Sequence, residues 1–280
     1  MKHEESEYIG YDGTRMFMHV WLPSREKPRA LLVAIHGLGS HGGDLQGIGE
    51  FFAEKGLVVF APDMRGFGHY SGLKGHVMNF DEFTEDLQNI IMQVKDRFLN
   101  TLTFLYGISL GGLHVIRYVT RYPKMVDGLM LTCPAVSETL DIGLGTRILA
   151  ELLSVLNVKK YFSSPASHED GTRSPEVVKR HEEDPLRFES VTPRFGISGL
   201  KASKDAFHAA PRITLPVFVQ QAGDDKLVSP EKSKTFFDNL KSEDKTWRLY
   251  EGLYHELPEE PEKAMVLGDM NAWLEKRLPR

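Results

Sequence analysis

Two hydrophobic rhythms alternate along the chain. Short, continuous apolar runs, "ALLVAIHG", "LVVFAPD", "LTFLYG", "GLMLTCPA" and "LPVFVQQAG", are bounded by glycine, proline or aspartate, and "TWRLYEG" is a weaker version of the same type. Runs of this kind suit strands buried on both faces. Between most of them lie amphipathic segments of helix length: "LQGIGEFFAEKG", "FDEFTEDLQNIIMQVKDRF", "GGLHVIRYVTRYP", "PEKSKTFFDNLK" and "PEKAMVLGDMNAWLEKRL". Strands alternating with helices predict a parallel sheet covered on both faces. Upstream, "SEYIGYDG" and "TRMFMHVWLP" flank Asp12-Gly13, a strong hairpin signal, and add two antiparallel strands at one edge. The expected fold class is α/β, with a mostly parallel, eight-stranded sheet.

The alternation lapses once, over residues 136–212, where "RILAELLSVLNV" is followed by the polar, loop-like "SSPASHEDGTRSP" and the shorter helical pieces "EVVKRHEED" and "ISGLKASKDAFHAA". A stretch this long without a strand exceeds an ordinary crossover. It predicts a helical cap, residues 136–212, inserted in a core domain built from 1–135 and 213–280. The first cap helix lines up Ile148, Leu149, Leu152, Leu153 and Leu156, with Val155 beside them. Two readings of that stripe stand: packing onto the sheet domain, or a substrate-binding role for Leu152, Leu153 and Leu156 in an acyl channel that can tip toward a lipid surface.

Composition narrows the function classes. The 280 residues carry a net charge of −5 and a pI near 6.1, which gives no electrostatic case for nucleic acid. The first residues, "MKHEESEYIGYDG", lack the apolar stretch of a secretory signal, and no apolar run approaches the roughly 18 residues of a membrane span. The single cysteine, Cys133, cannot form an internal disulfide and lies in an apolar run read as a buried strand. A cytoplasmic location is expected, with transient membrane or lipid-interface contact through the cap as an addition to it.

The chemistry centres on "LTFLYGISLGGLHVIRYV". A lone G-x-S-x-G is weak, but here a strand runs into Gly107-Ile108-Ser109-Leu110-Gly111 and a helix pattern follows at once, the order a nucleophile elbow requires. Serine needs a histidine to take its proton, and the histidine needs a carboxylate to set its tautomer. Downstream, Asp225 follows "LPVFVQQAG" and His255 follows "TWRLYEG", so both leave the carboxyl ends of strands. Asp225 is preferred to its neighbour Asp224 because an Asp-x-x-Val phrase begins there; loop solvation or capping of "PEKSKTFF" is the structural reading of either. Backbone donors for an oxyanion are expected from Leu110, just after the serine, and from Leu38 in "HGLGSHGG".

Together, His36-Gly37-Leu38-Gly39, Gly107-Ile108-Ser109-Leu110-Gly111-Gly112, Asp225-Lys226-Leu227-Val228 and Tyr254-His255-Glu256-Leu257 resemble the monoacylglycerol lipase and lysophospholipase branch of the serine α/β-hydrolases. "YHEL" is the most specific of these phrases, and the resemblance spans nearly the whole chain, cap included. It implies a monoglyceride or related lipid ester as substrate, no cofactor and no metal, Ser109 as nucleophile, His255 as base, Asp225 as acid, and Leu38 with Leu110 as oxyanion donors. Two departures bear on glycerol recognition. Ser40 stands where the family usually carries an acid after HGxG, and "DMRGFGHYSG" puts Tyr70 at the position where the family has serine.

Other residues admit blander readings. The eleven histidines include no HExxH or close ligand pair, and "HED" and "HEED" in the cap read as solvated loop or helix surface. His36 and His41 are expected to brace the oxyanion loop, His114 to be structural, Asp63 and Arg65 to form a local salt bridge, and Glu256 to orient its neighbour or be solvated. Rival functions are a lysophospholipase or general carboxylesterase, a proline iminopeptidase-type peptidase, an acyltransferase or thioesterase, and a non-catalytic binding protein on a hydrolase scaffold.

Overall fold

The computed structural model describes residues 1–137, 143–163 and 167–278. The hairpin forms as expected: β1 (Lys2–Ile9) pairs antiparallel with β2 (Arg15–Leu22) around Gly13, which sits at φ +82°. The continuous apolar runs become β3 (Ala30–Ile35), β4 (Leu57–Pro62), β5 (Thr103–Ile108) and β6 (Gly128–Thr132). Their intervening helices are α1 (Gln46–Glu54), α2 (Asp81–Arg97) and α3 (Leu110–Arg121).

The next stretch holds α4 (Leu144–Val155), β7 (Phe162–Ser163), α5 (His168–Gly171), α6 (Pro175–Glu183), β8 (Ser190–Val191) and α7 (Pro193–His208). The chain closes with β9 (Val217–Ala222), α8 (Pro230–Asn239), β10 (Lys245–Tyr250) and α9 (Lys263–Glu275).

Eight strands form one sheet in the order β1-β2-β4-β3-β5-β6-β9-β10. Only the β1–β2 and β2–β4 pairings are antiparallel, so the hairpin is the antiparallel edge. Side-chain alternation explains why the inner strands read as unbroken apolar runs. Leu31, Val33 and Ile35 of β3 join Phe83, Leu87 and Ile90 of α2 on one face, whereas Ala30, Leu32 and Ala34 join Phe52 of α1 and Met270 of α9 on the other. Each fully buried Leu, Val or Ile stabilises the fold by about 1.5–3 kcal/mol. β10 reads weakly because it is an edge strand with mixed exposure, paired only to β9.

The long lapse in strand pattern divides in two. α7 begins at Pro193, capped by the Thr192 hydroxyl, and its buried Phe195, Ala202, Ala206 and Phe207 belong to the same core as α2 and α3. It packs on α3 and carries the chain back toward β9, which is the work of a crossover helix. α4 packs on α7, and α4, α5, α6 and the β7–β8 pair stand off the main sheet. α5 and the β7–β8 pair are too short to leave a periodic signal; residues 138–142 and 164–166 of the predicted cap lie outside the described residues.

Candidate functional site

β5 ends at Ile108, and the chain turns into α3 through Ser109, which sits at φ 54° and ψ −118°. A non-glycine residue held there is strained by about 1–3 kcal/mol and persists only where its surroundings enforce it. The enforcement is visible. The Ser109 N–H donates to Thr132 O at 3.0 Å, and the Ser109 carbonyl accepts from Ala135 N at 3.0 Å. The flanking glycines leave no room for a side chain: a Cβ on Gly111 would lie 2.2 Å from Ile35 O, and one on Gly107 would lie 2.5 Å from Gly111 O.

The loop after β3 lies close by, with Gly37 positioned so that an added Cβ would meet Ser109 Cβ at 3.5 Å. Leu110 opens α3, where backbone N–H groups lack intrahelical acceptors. His36 braces this loop as expected: Nδ1 donates to Gly37 O at 2.8 Å and Nε2 accepts Met64 N–H at 2.9 Å. Burial holds its pKa down to about 4, so the ring is neutral.

Asp225 follows β9 and His255 follows β10. His255 Nδ1 lies 2.8 Å from Asp225 Oδ2 and 3.0 Å from Oδ1. Burial opposes ionisation of Asp225, but the His255 bond and the N–H groups of Leu227 and Val228, each at 2.9 Å, hold it below the usual carboxylate range. With Nδ1 donating to the acid, Nε2 presents its lone pair, and that atom is buried without a partner. Asp224 is exposed and its N–H caps Leu253 O at 3.1 Å. His255, Ser109, Leu38 and Leu110 line one cavity of about 880 Å³.

Residues 26–262 match the family described as serine aminopeptidase, S33. The chain belongs to that family. Over its length the hydrolase is 31% identical to a monoacylglycerol lipase of Mycolicibacterium smegmatis, covering 98% of both chains. It is 30% identical to a monoglyceride lipase of Rattus norvegicus, covering 96% of this chain and 90% of that one. The crystal structure of a monoacylglycerol lipase from Paleococcus ferrophilus superposes with a TM-score of 0.84 at 29% identity, over 93% of this chain and 98% of the other. The fold is the α/β-hydrolase fold.

The lining of the hydrolase's cavity is of two chemical kinds. Phe80, Leu113, Val136, Val191, Phe195 and Leu200 supply an apolar part. The cap leucines are elsewhere: Leu152 and Leu156 are 54% and 64% exposed, Leu153 is half-buried, and none of the three lines the cavity. Ile148, Leu149 and Val155 are exposed with them, so the stripe faces away from the sheet domain.

The other part is a polar cluster linked through Arg187 and Glu256, and it is the part that sequence reasoning passed over. His181, in the "HEED" phrase read as solvated surface, is only 3% exposed and lines the cavity; its signal was the spacing to Val177, four residues earlier and buried on the same helix face. Asp184 of that phrase takes His41 Nε2 at 2.8 Å, tying the stretch after α6 to the loop that follows β3. Arg187 donates Nη1 to Asp44 Oδ2 at 2.6 Å, and Ser40, at the position where an acid was expected, donates to the same oxygen at 2.6 Å. Glu256 also lines this part, and burial pushes its carboxyl up to about 7.

Asp63 and Arg65 do not pair with each other. Asp63 accepts from the N–H groups of Gly42 and His69 and from the His69 ring, whereas Arg65 grips Asp86 and Asp12 and so ties the hairpin to α2. His19, His41 and Asp63 bring candidate metal-ligand atoms within 4.8 Å of one another, but His41 Nδ1 and both Asp63 oxygens already accept backbone N–H bonds. His114 is buried against Phe83, ring centroids 4.0 Å apart, as a structural residue would be.

Proposed function

We propose that the protein is a monoacylglycerol lipase that cleaves its ester through an acyl-enzyme on Ser109. The observation that carries this reading is the strained serine facing a cavity shared with a histidine whose Nδ1 is held by Asp225 and whose Nε2 lone pair is otherwise unused. The chain is a hydrolase acting on esters; the finer assignment draws on its lipase relatives and on a cavity whose lining combines an apolar wall with a polar cluster.

In the proposed reaction, His255 Nε2 takes the Ser109 proton as Oγ attacks the ester carbonyl. The N–H groups of Leu38 and Leu110 hold the developing oxyanion, and His255 then gives its proton to the departing alcohol. Water, deprotonated by the same nitrogen, releases the fatty acid. Asp225 fixes the ring and stabilises the imidazolium that forms in each half-reaction. The acyl chain lies along the Phe80–Phe195 wall and the alcohol at the polar cluster. Of residues 136–212, the part before α7 is assigned to the cap, whose exposed α4 stripe touches a lipid interface transiently while the protein works from the cytoplasm.

Fatty-acid release from monoacylglycerols of graded chain length, by wild type and by a folded Ser109→Ala variant, tests the assignment. Retained turnover in the alanine variant, or no monoacylglycerol cleavage by wild type, overturns it. Leu152→Asp and Leu156→Asp should lower adsorption to phospholipid vesicles; unchanged adsorption removes the lipid-contact role. A peptidase reading is favoured by one feature, the carboxylates of the polar cluster, which suit a free amino terminus. Faster cleavage of proline anilide than of any ester would decide for it.

A further inference from the structure

The polar cluster of the cavity carries two buried donors without acceptors. His181 Nε2 accepts from Arg180 Nη2 at 3.4 Å, so its proton sits on Nδ1, and Nδ1 has no hydrogen-bond partner; the nearest carboxylate oxygen, Oε2 of Glu256, is 3.6 Å away. Arg187, its side chain 7% exposed, spends Nη1 on Asp44 and leaves Nε unpartnered. The same guanidinium has Glu189 at 3.5 Å and Glu256 at 4.0 Å, so it faces the carboxyl groups of three acids. Asp170, which also lines the cavity, lies 3.6 Å from Lys226. Donors without acceptors beside an excess of carboxylates form an environment with a definite preference.

We propose that this cluster selects the alcohol of the ester by charge, admitting an uncharged polyhydroxy alcohol and excluding one that carries a phosphate. A hydroxyl both accepts and donates, so it can take the His181 or Arg187 N–H and return a bond to Glu189 or Glu256. A phosphate only accepts. It would bring further negative charge into a cavity lined by Asp44, Asp170, Glu189, Glu256 and Glu259 against Arg187, Lys226 and Lys232, and Arg187 could reach it only by leaving Asp44 buried without its partner. The inference rests on the reading above, that the alcohol lies at this cluster.

Hexanoyl esters of glycerol, glycerol 3-phosphate and choline, assayed below their aggregation limits, separate the possibilities. All three would form the same hexanoyl-enzyme, so differences in kcat/KM belong to the alcohol. The phosphate ester is expected to fall more than about tenfold below the glycerol ester, or about 1.4 kcal/mol. The choline ester, also bulky but cationic, should stay within about tenfold of the glycerol ester. Glu189→Gln should raise the phosphate-to-glycerol ratio at least about threefold by removing one of the facing charges. A phosphate ester within tenfold of the glycerol ester, a choline ester depressed as deeply as the phosphate ester, or a ratio unmoved in Glu189→Gln overturns charge selection. If a p-nitrophenyl ester is cleaved and none of the three is, the monoacylglycerol reading itself falls, and this inference with it.

Discussion

Replacing Gly111 with alanine tests the elbow at its tightest point. The added methyl would sit 2.2 Å from Ile35 O and 2.5 Å from His36 O. Those distances are roughly 1 Å or more short of ordinary contact. Neither oxygen has freedom to retreat: β3 is buried along its whole length and paired on both sides, and His36 is held at both ring nitrogens. The start of α3 must therefore move, and with it Ser109 and the Leu110 N–H. A displacement of about 1 Å in a reacting group costs on the order of a hundredfold in rate. Overpacking of this kind also costs about 1–3 kcal/mol of stability, or roughly 5 °C in Tm for a chain of this size.

The assays are kcat/KM on a soluble p-nitrophenyl ester and a thermal melt followed by circular dichroism. Gly47→Ala is the matched control, since Gly47 lies in α1 and a Cβ there meets nothing within 4 Å. It should leave activity unchanged and add about 0.5–1 kcal/mol. A Gly111→Ala enzyme with full kcat/KM and an unshifted Tm would refute the claim that close backbone approach positions the serine.

Three further outcomes are expected. Asp225→Asn should keep the fold by circular dichroism yet lower kcat by about 10⁴, because the amide favours the wrong His255 tautomer; a loss below tenfold would mean that another group orients the ring. Arg65→Met strips Asp86, whose side chain is 0% exposed, of two hydrogen bonds, and should cost about 3–5 kcal/mol in urea unfolding; a loss under about 1 kcal/mol would contradict it. Acid should destabilise the protein. Burial keeps the pKa of His36 down to about 4, and burial followed by Arg187 keeps that of His181 down to about 3, whereas an unfolded chain protonates both near 6.5. Between pH 6.5 and 4 the unfolded state therefore binds more protons, and stability is lost as pH falls through that window. Glu256, raised to about 7 by burial, acts in the opposite sense between pH 7 and 4.5, with Glu259 beside it, while buried His114 adds to the histidine side. Stability at pH 7.5 should exceed that at pH 5 by roughly 1–3 kcal/mol, and a higher urea midpoint at pH 5 would refute the balance.

The sheet was legible because its inner strands are buried on both faces, which forces unbroken apolar runs, and because each crossover helix buries a stripe at helical spacing. The elbow was legible for a local reason: Gly107, Ser109 and Gly111 meet their steric demands within five residues. The polar cluster of the cavity was not. Asp44, His181, Arg187 and Glu256 come from separate elements, and each alone has the pattern of a surface residue; only the tertiary fold gives them partners. The α4 stripe shows the converse limit, since amphipathic spacing marks an apolar face without saying whether protein or solvent lies against it.

That α7 is at once a core helix and the return path to β9 has a consequence for how such a protein changes over time. The stretch that brings His181, Arg187 and Glu189 to the cavity wall, α4 to β8, is carried as an excursion on a crossover the sheet would need in any case. Its replacement leaves the strand order and the Ser109 turn in place, but must restore the contacts it makes with the sheet domain, such as Arg187 with Asp44 and Asp184 with His41. Substrate preference and scaffold can therefore diverge at different speeds, and recombination at the two ends of that excursion is the natural place to graft one enzyme's selectivity onto another's frame.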